Sequence, residues 1–77
     1  ICHGLPNDRI LKEGDIIGVD IGLRLRGWCG DSCVTYPVGE VSADAKHLMA
    51  VAEQALYVGI KAAQSGAYLY DIGAAIQ

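Results

Sequence analysis

The chain has 77 residues, room for one small domain, and folding a chain this short hides only about 60% of the surface its unfolded form exposes. With 52% apolar residues, one Trp, four Tyr and no Phe, its hydrophobic mass is Ile, Leu, Val and Ala, which is a globular composition and not a disordered one. Six Lys and Arg against nine Asp and Glu leave a net charge of −3 with no basic run, which argues against direct nucleic-acid binding and against attachment to a membrane surface.

Ile1-Cys2-His3 reads as the tail of a strand, and Gly4-Leu5-Pro6-Asn7-Asp8 carries the residues that punctuate turns, so a loop follows and closes at Glu13-Gly14. From 15 to 25 the odd positions Ile17, Val19, Ile21, Leu23 and Leu25 are apolar, while the even ones include Gly18, Asp20, Gly22 and Arg24. A period of two predicts a strand with one packed face and one special face. Residues 28–36 predict a second strand, ended by Pro37, and the short Leu25-Arg26-Gly27 connection predicts an antiparallel hairpin. Ser42 is placed to cap a helix over 42–65, with Asp44 in its first turn and Gly66 as its stop. Ala45, Leu48, Met49, Ala52, Leu56, Ile60 and Ala63 form its apolar stripe, opposite Lys46, His47, Glu53, Gln54, Lys61 and Gln64. A second helix is expected to begin near Tyr70-Asp71. The expected fold class is α+β, with the hairpin packed against the long amphipathic helix.

No apolar stretch approaches the ~18 residues that span a bilayer, and no charged-then-apolar leader opens the chain, so a soluble protein is expected. Cys2, Cys29 and Cys33 are odd in number and in no zinc-ribbon spacing, which predicts reduced thiols in a cytosolic setting. The start at Ile1 without Met and the stop at Gln77 inside a helical run point to a piece cut at both ends.

The chemistry concentrates on Asp20 and Asp31. A two-residue turn at Leu25-Arg26 would pair Arg24 with Gly27, and continuing that ladder sets Asp20 directly opposite Asp31 on one face, their Cβ atoms about 4.5–5.5 Å apart. Two like charges at ~5 Å repel by about 3 kcal/mol at an effective dielectric of ~20. A cation between them, a proton shared by them, or splaying into solvent would relieve that repulsion, and the residues alone leave all three open. Gly18, Gly22 and Gly30 leave room for a group to approach. If the answer is metal, hard carboxylate oxygens suit Mg²⁺ or divalent first-row ions, and two adjacent carboxylates suit a two-metal cluster completed by at least three further ligands.

Other candidates are weaker. His3, before Gly4 and Pro6, is placed to face a cleft and donate a hydrogen bond or shuttle a proton, against the plainer alternative of an exposed loop histidine. Cys2 next to it has no base positioned by sequence and reads as a packed thiol. Cys29 and Cys33 share the face of Asp31, where soft ligation competes with simple packing. His47 and Glu53, six residues apart on the polar side of the helix, read as a solvated face.

Cys2-His3-Gly4-Leu5-Pro6-Asn7-Asp8-Arg9, Leu11-Lys12-Glu13-Gly14-Asp15-Ile16, Val19-Asp20-Ile21 and Gly30-Asp31-Ser32 together resemble type 1 methionine aminopeptidases. The likeness continues through Tyr36-Pro37-Val38-Gly39-Glu40-Val41-Ser42 and Asp71-Ile72-Gly73-Ala74-Ala75-Ile76-Gln77, and so covers nearly the whole chain. The Asp-x10-Asp spacing is shared with prolidases and Xaa-Pro aminopeptidases of the same pita-bread fold, and the His3-to-Arg9 stretch separates them. The resemblance implies that residues 1–77 are part of a catalytic domain, the amino-terminal half without either end. It implies metal-dependent removal of the initiator Met from nascent chains, by metal-activated attack of water on the first peptide bond.

Carried over by position, Asp20 and Asp31 become two of five ligands to two divalent ions (Co, Mn, Fe or Zn), with Asp20 chelating one ion and Asp31 bridging both. His3 becomes the catalytic and substrate-contacting histidine. The implied partners are nascent polypeptides bearing an amino-terminal Met, with ribosome association, a cytoplasmic location and a monomeric state. Cys29 stands where many relatives carry His, and Ser32-Cys33 replaces a common Thr-Ser. The remaining His and two Glu ligands and the second catalytic His have no counterpart here, so this stretch alone is expected to be inactive. A proline-directed peptidase of the same fold and a non-catalytic pita-bread binding module are the competing expectations.

Overall fold

The structure, a computed structural model, describes residues 4–77; the strand tail expected at Ile1-Cys2-His3 lies outside them. The fold is α+β, in two compact units that divide between Val41 and Ser42.

The first unit holds an antiparallel hairpin of β1 (Ile16–Leu25) and β2 (Trp28–Pro37). Its turn is Arg26-Gly27, with φ +50° and +85°. Positive φ at both central residues is the mark of a type I′ turn, whose twist matches that of the flanking strands. This corrects the expected register. A turn at Leu25-Arg26 would force the apolar Leu25 into left-handed backbone, whereas Gly27 enters that region without steric cost. Leu25 therefore pairs with Trp28, Asp20 with Cys33, and Gly22 with Asp31. The displacement is two residues along the partner strand, so it preserves the faces.

Alternation along β1 is as expected. One face carries Ile17, Val19, Ile21, Leu23 and Leu25 opposite Tyr36, Val34, Ser32, Gly30 and Trp28; the other carries Gly18, Asp20, Gly22 and Arg24 opposite Thr35, Cys33, Asp31 and Cys29. Within the described residues the first face is largely uncovered, with exposure rising from 38% at Val19 to 66% at Leu25.

Ahead of β1, the turn at 12–15 is tied to the exit of β2. Gly14 N–H donates to Val38 O at 2.9 Å, Val38 N–H to Asp15 O at 2.8 Å, and Glu40 N–H to Glu13 Oε1 at 3.4 Å. Gly39 has φ +61°, and a Cβ there would stand 2.8 Å from Glu13 Cγ, so glycine is required both for its backbone and for this approach.

The second unit holds α1 (Ala43–Ala62) and α2 (Leu69–Ile76). Ser42 caps α1 as expected, its Oγ accepting from Ala45 N–H at 3.1 Å. The helix stops three residues before the expected end, because Ala63 leaves helical backbone and Gln64 turns back, its Nε2 donating to Lys61 O at 2.9 Å. The start of α2 falls at Leu69, where Asp71 Oδ2 accepts Tyr68 N–H at 2.9 Å. The two helices meet where Gly59 of α1 admits Ile72 and Ile76 of α2. Gly59 is buried, and a Cβ there would stand 2.8 Å from Ile76 Cδ1 and 3.6 Å from Ile72 Cγ2. The expected stripe is only partly realised: Ala45 and Met49 are half-buried, while Leu48, Leu56 and Ile60 are exposed. Among the described residues no helix is long and apolar enough to cross a membrane.

Candidate metal centre

The two aspartates of interest are set by the hairpin alone. Both project from the glycine-bearing face, Asp20 across from Cys33 and Asp31 across from Gly22, which makes them diagonal neighbours and not a directly opposed pair. Such neighbours are about 7–8 Å apart, still within joint reach of one or two ions. At that separation their repulsion falls to about 2 kcal/mol at an effective dielectric of ~20. The space between them is open: a Cβ built at Gly18 or Gly22 meets nothing within 4 Å.

Above this face lies a hollow of about 710 Å³ whose walls include Gly4, Pro6, Gly18, Gly22 and Cys33 besides the two carboxylates. A second hollow of about 500 Å³ shares Gly4, Pro6, Ile17 and Gly18 with it and extends to Arg9 and Asp15. The loop at 4–11 thus forms a wall that serves both.

Asp20 and Asp31 supply hard, anionic oxygen donors on one face with room between them, which fits part of a divalent-metal site. Among the described residues no group of three or more His, Cys, Asp or Glu side chains is placed to hold an ion. A complete coordination sphere needs donors beyond this pair. Cys29 and Cys33 are free thiols, both exposed; Cys33 faces Asp20 and Cys29 faces Arg24. His47 and Glu53 sit exposed on α1. His3 and Cys2 lie outside the described residues.

The structure adds one group that the sequence reading passed over. Asp15 begins as a strand residue in that reading, yet its side chain is only 14% exposed and gathers three donors from the loop. Lys12 N–H reaches Oδ2 at 3.1 Å, Lys12 Nζ reaches Oδ1 at 3.1 Å, and Arg9 Nη2 lies 3.7 Å from Oδ2. The backbone bond from Lys12, followed by that from its ammonium, holds the carboxyl below the usual carboxylate range. The available signal was local: a carboxylate three residues after a lysine, with Gly14 between them free to turn the chain at φ +93°.

A hairpin that presents two carboxylates to an open hollow can supply part of a divalent-metal site. The whole chain, residues 1–77, matches the metallopeptidase family M24, and it belongs to that family. Within the family it is similar to methionine aminopeptidase 1 of Bacillus subtilis (strain 168), with 51% identity over 77 residues that cover all of this chain and 31% of that protein. It is similar too to methionine aminopeptidase B of Synechocystis sp., at 49% identity and 28% coverage of the relative. The crystal structure of methionine aminopeptidase from Rickettsia prowazekii superposes with a TM-score of 0.95 at 47% identity, covering 99% of this chain and 31% of that one. The chain therefore spans about a third of the length of the relatives it matches.

Proposed function

We propose that this chain contributes the Asp-bearing hairpin to a methionine aminopeptidase, which removes the amino-terminal initiator Met from nascent polypeptides. The observation that carries the reading is the placement of Asp20 and Asp31 on one face of β1 and β2, over a hollow large enough for a peptide end. A divalent-metal cofactor follows from membership of a metallopeptidase family. Two ions drawn from Co, Mn, Fe or Zn are the cofactor we assign; Asp20 would serve as a ligand of one and Asp31 as a ligand of both, with further donors completing their shells.

When bound, such ions supply Lewis-acid charge and lower the pKa of a water molecule toward neutrality. The residues of this chain do the rest of what is assigned here. Asp20 and Asp31 would hold the cations in fixed register, because each residue's backbone is set by the hairpin ladder. Gly18 and Gly22 leave the floor low enough for a peptide backbone to approach. Gly4 and Pro6 wall the other side, and His3, next in the chain, donates a hydrogen bond near the scissile amide. A cytoplasmic, ribosome-associated and monomeric enzyme is the setting we assign.

The test is a chimera in which these 77 residues replace the matching stretch of the Bacillus subtilis relative. It is expected to release Met from a Met-Ala peptide in the presence of Co²⁺ or Mn²⁺. Asp31→Asn in the chimera is expected to lower turnover by about 100-fold or more, since several kcal/mol of charge stabilisation depends on the ion. His3→Ala should slow turnover with metal content near normal. Cleavage of Xaa-Pro peptides in preference to Met-Ala would favour the proline-directed alternative. Retained turnover in Asp31→Asn at saturating metal would exclude the assignment.

A further inference from the structure

The wall formed by residues 4–11 contains no helix or strand, and two of its apolar side chains face outward, Leu5 at 90% and Ile10 at 87% exposure. Within the described residues, apolar burial therefore does little to hold it, yet Gly4 and Pro6 line the same hollow as Asp20 and Asp31. Polar contacts at its base take that role. Asn7 Oδ1 accepts Arg9 N–H at 2.9 Å, which turns the loop locally. Asp15 then joins the loop to the hairpin: its carboxylate takes the Lys12 amide and ammonium and faces the Arg9 guanidinium. Its own carbonyl accepts Val38 N–H at 2.8 Å, so the clasp is anchored to the exit of β2. An ionised carboxylate is an acceptor with room for several donors, and bonds to charged donors are roughly twice as strong as neutral ones.

We propose that Asp15 is the positioning residue of the metal-facing hollow: by clasping Lys12 and Arg9 to the root of β1, it fixes the Gly4 and Pro6 wall beside Asp20 and Asp31. The inference deepens the functional reading above and rests on it for its consequence, that the clasp sets how the amino-terminal residue of a peptide sits against the metal face. The contacts of the clasp are independent of that reading.

Two measurements on the chimera that carries these 77 residues separate the two. In hydrogen exchange followed by NMR, the Lys12 amide is expected to exchange about tenfold faster in Asp15→Ala than in the parent, the change expected for one charge-assisted bond. Asp15→Asn, which keeps an acceptor but not the charge, should fall between them, and Lys12→Met should leave most of the amide protection in place. A Lys12 amide that is unprotected in the parent, or unchanged in Asp15→Ala, overturns the clasp.

The second measurement adds Mn²⁺ as a paramagnetic probe. Amides of Gly22 and Ser32 on the hairpin and of Gly4 and Leu5 on the loop are expected to broaden in the parent. In Asp15→Ala the hairpin signals should still broaden while the loop signals sharpen, which a general loss of structure would not produce. Loop broadening that survives Asp15→Ala overturns the positioning role. Absence of broadening at Gly22 and Ser32 in the parent defeats the metal reading, and with it the consequence for substrate, while the exchange of the Lys12 amide still decides the clasp.

Discussion

Asp15, just ahead of β1, and the pair Asp20 and Asp31 on the hairpin stand in different surroundings. Asp15 spends its charge on donors from its own loop, and the backbone bond from Lys12 followed by the ammonium bond lowers its pKa. A carboxyl whose folded pKa is depressed adds stability that is complete above its unfolded value, about 3.9, and is lost as pH falls through the lower folded value. The chemical shift of the Lys12 amide, which donates to Asp15 Oδ2, should therefore titrate with a midpoint below about 3.9, and the loop should loosen over that range. A midpoint at or above the ordinary carboxylate value would contradict the clasp. Asp20 and Asp31 have no such donors among the hydrogen bonds and ion pairs found in the described residues, which leaves their oxygens available to a cation.

At the scale of elements, the hairpin was legible down to its faces but not to its register. Alternation from Ile17 to Leu25 marks β1, and Pro37 marks the end of β2, because period and proline are written in the residues themselves. Register depends on which two residues adopt positive φ, and Arg26-Gly27 lacks the Asn-Gly or Asp-Gly pair that announces a type I′ turn. The consequence for the site is a diagonal pair of aspartates where a direct pair was expected. The carboxyl end of α1 was misplaced for a related reason. Gly66, with φ +87°, is a visible stop, whereas the earlier departure at Ala63 depends on a side-chain bond from Gln64 that no propensity encodes.

Substitutions in the turn distinguish the two registers. Gly27→Ala places a Cβ at φ +85° and should destabilise the hairpin by about 1 kcal/mol, seen as a lower urea midpoint and weaker cross-strand contacts. Arg26→Asn creates the preferred pair for this turn and should shift the midpoint upward. A neutral Gly27→Ala would restore the turn at Leu25-Arg26. In the helical unit, Gly59→Leu should drive a side chain into Ile76, which a Cβ alone would approach to 2.8 Å. The Gln77 amide, bonded to Gly73 O at 3.2 Å, should then lose exchange protection while the amides of the first turns of α1 keep theirs. Unchanged protection at Gln77 would show that Gly59 does not hold α2.

For the whole molecule, the balance between composition and burial is the informative quantity. Half of the residues are apolar, yet among the described large hydrophobic side chains only Val41 is buried, while Trp28 is 82% and Leu69 85% exposed. A surface of that kind exceeds what a free, stable domain of this size ordinarily shows. The isolated chain is expected to bind an apolar fluorescent dye strongly at neutral pH and to unfold with a shallow, low-midpoint urea transition. Weak dye binding with a steep transition would mean that the apolar faces close on one another. The family was legible at this scale too, since the stretches around Asp20 and Asp31 carry the likeness, whereas their direct opposition across the hairpin was not. His3 belongs to the same likeness and lies outside the described residues.

Asp20 and Asp31 are proposed to act together as ligands on one hairpin face, and titration of the metal-free chimera with Mn²⁺ in a calorimeter tests this most directly. Saturable binding is expected in the chimera, weakened at least about tenfold by Asp20→Asn and by Asp31→Asn, with the double substitution no weaker than the worse of the two singles. Binding that survives both substitutions, or effects that simply add, would place the cation elsewhere and contradict the account.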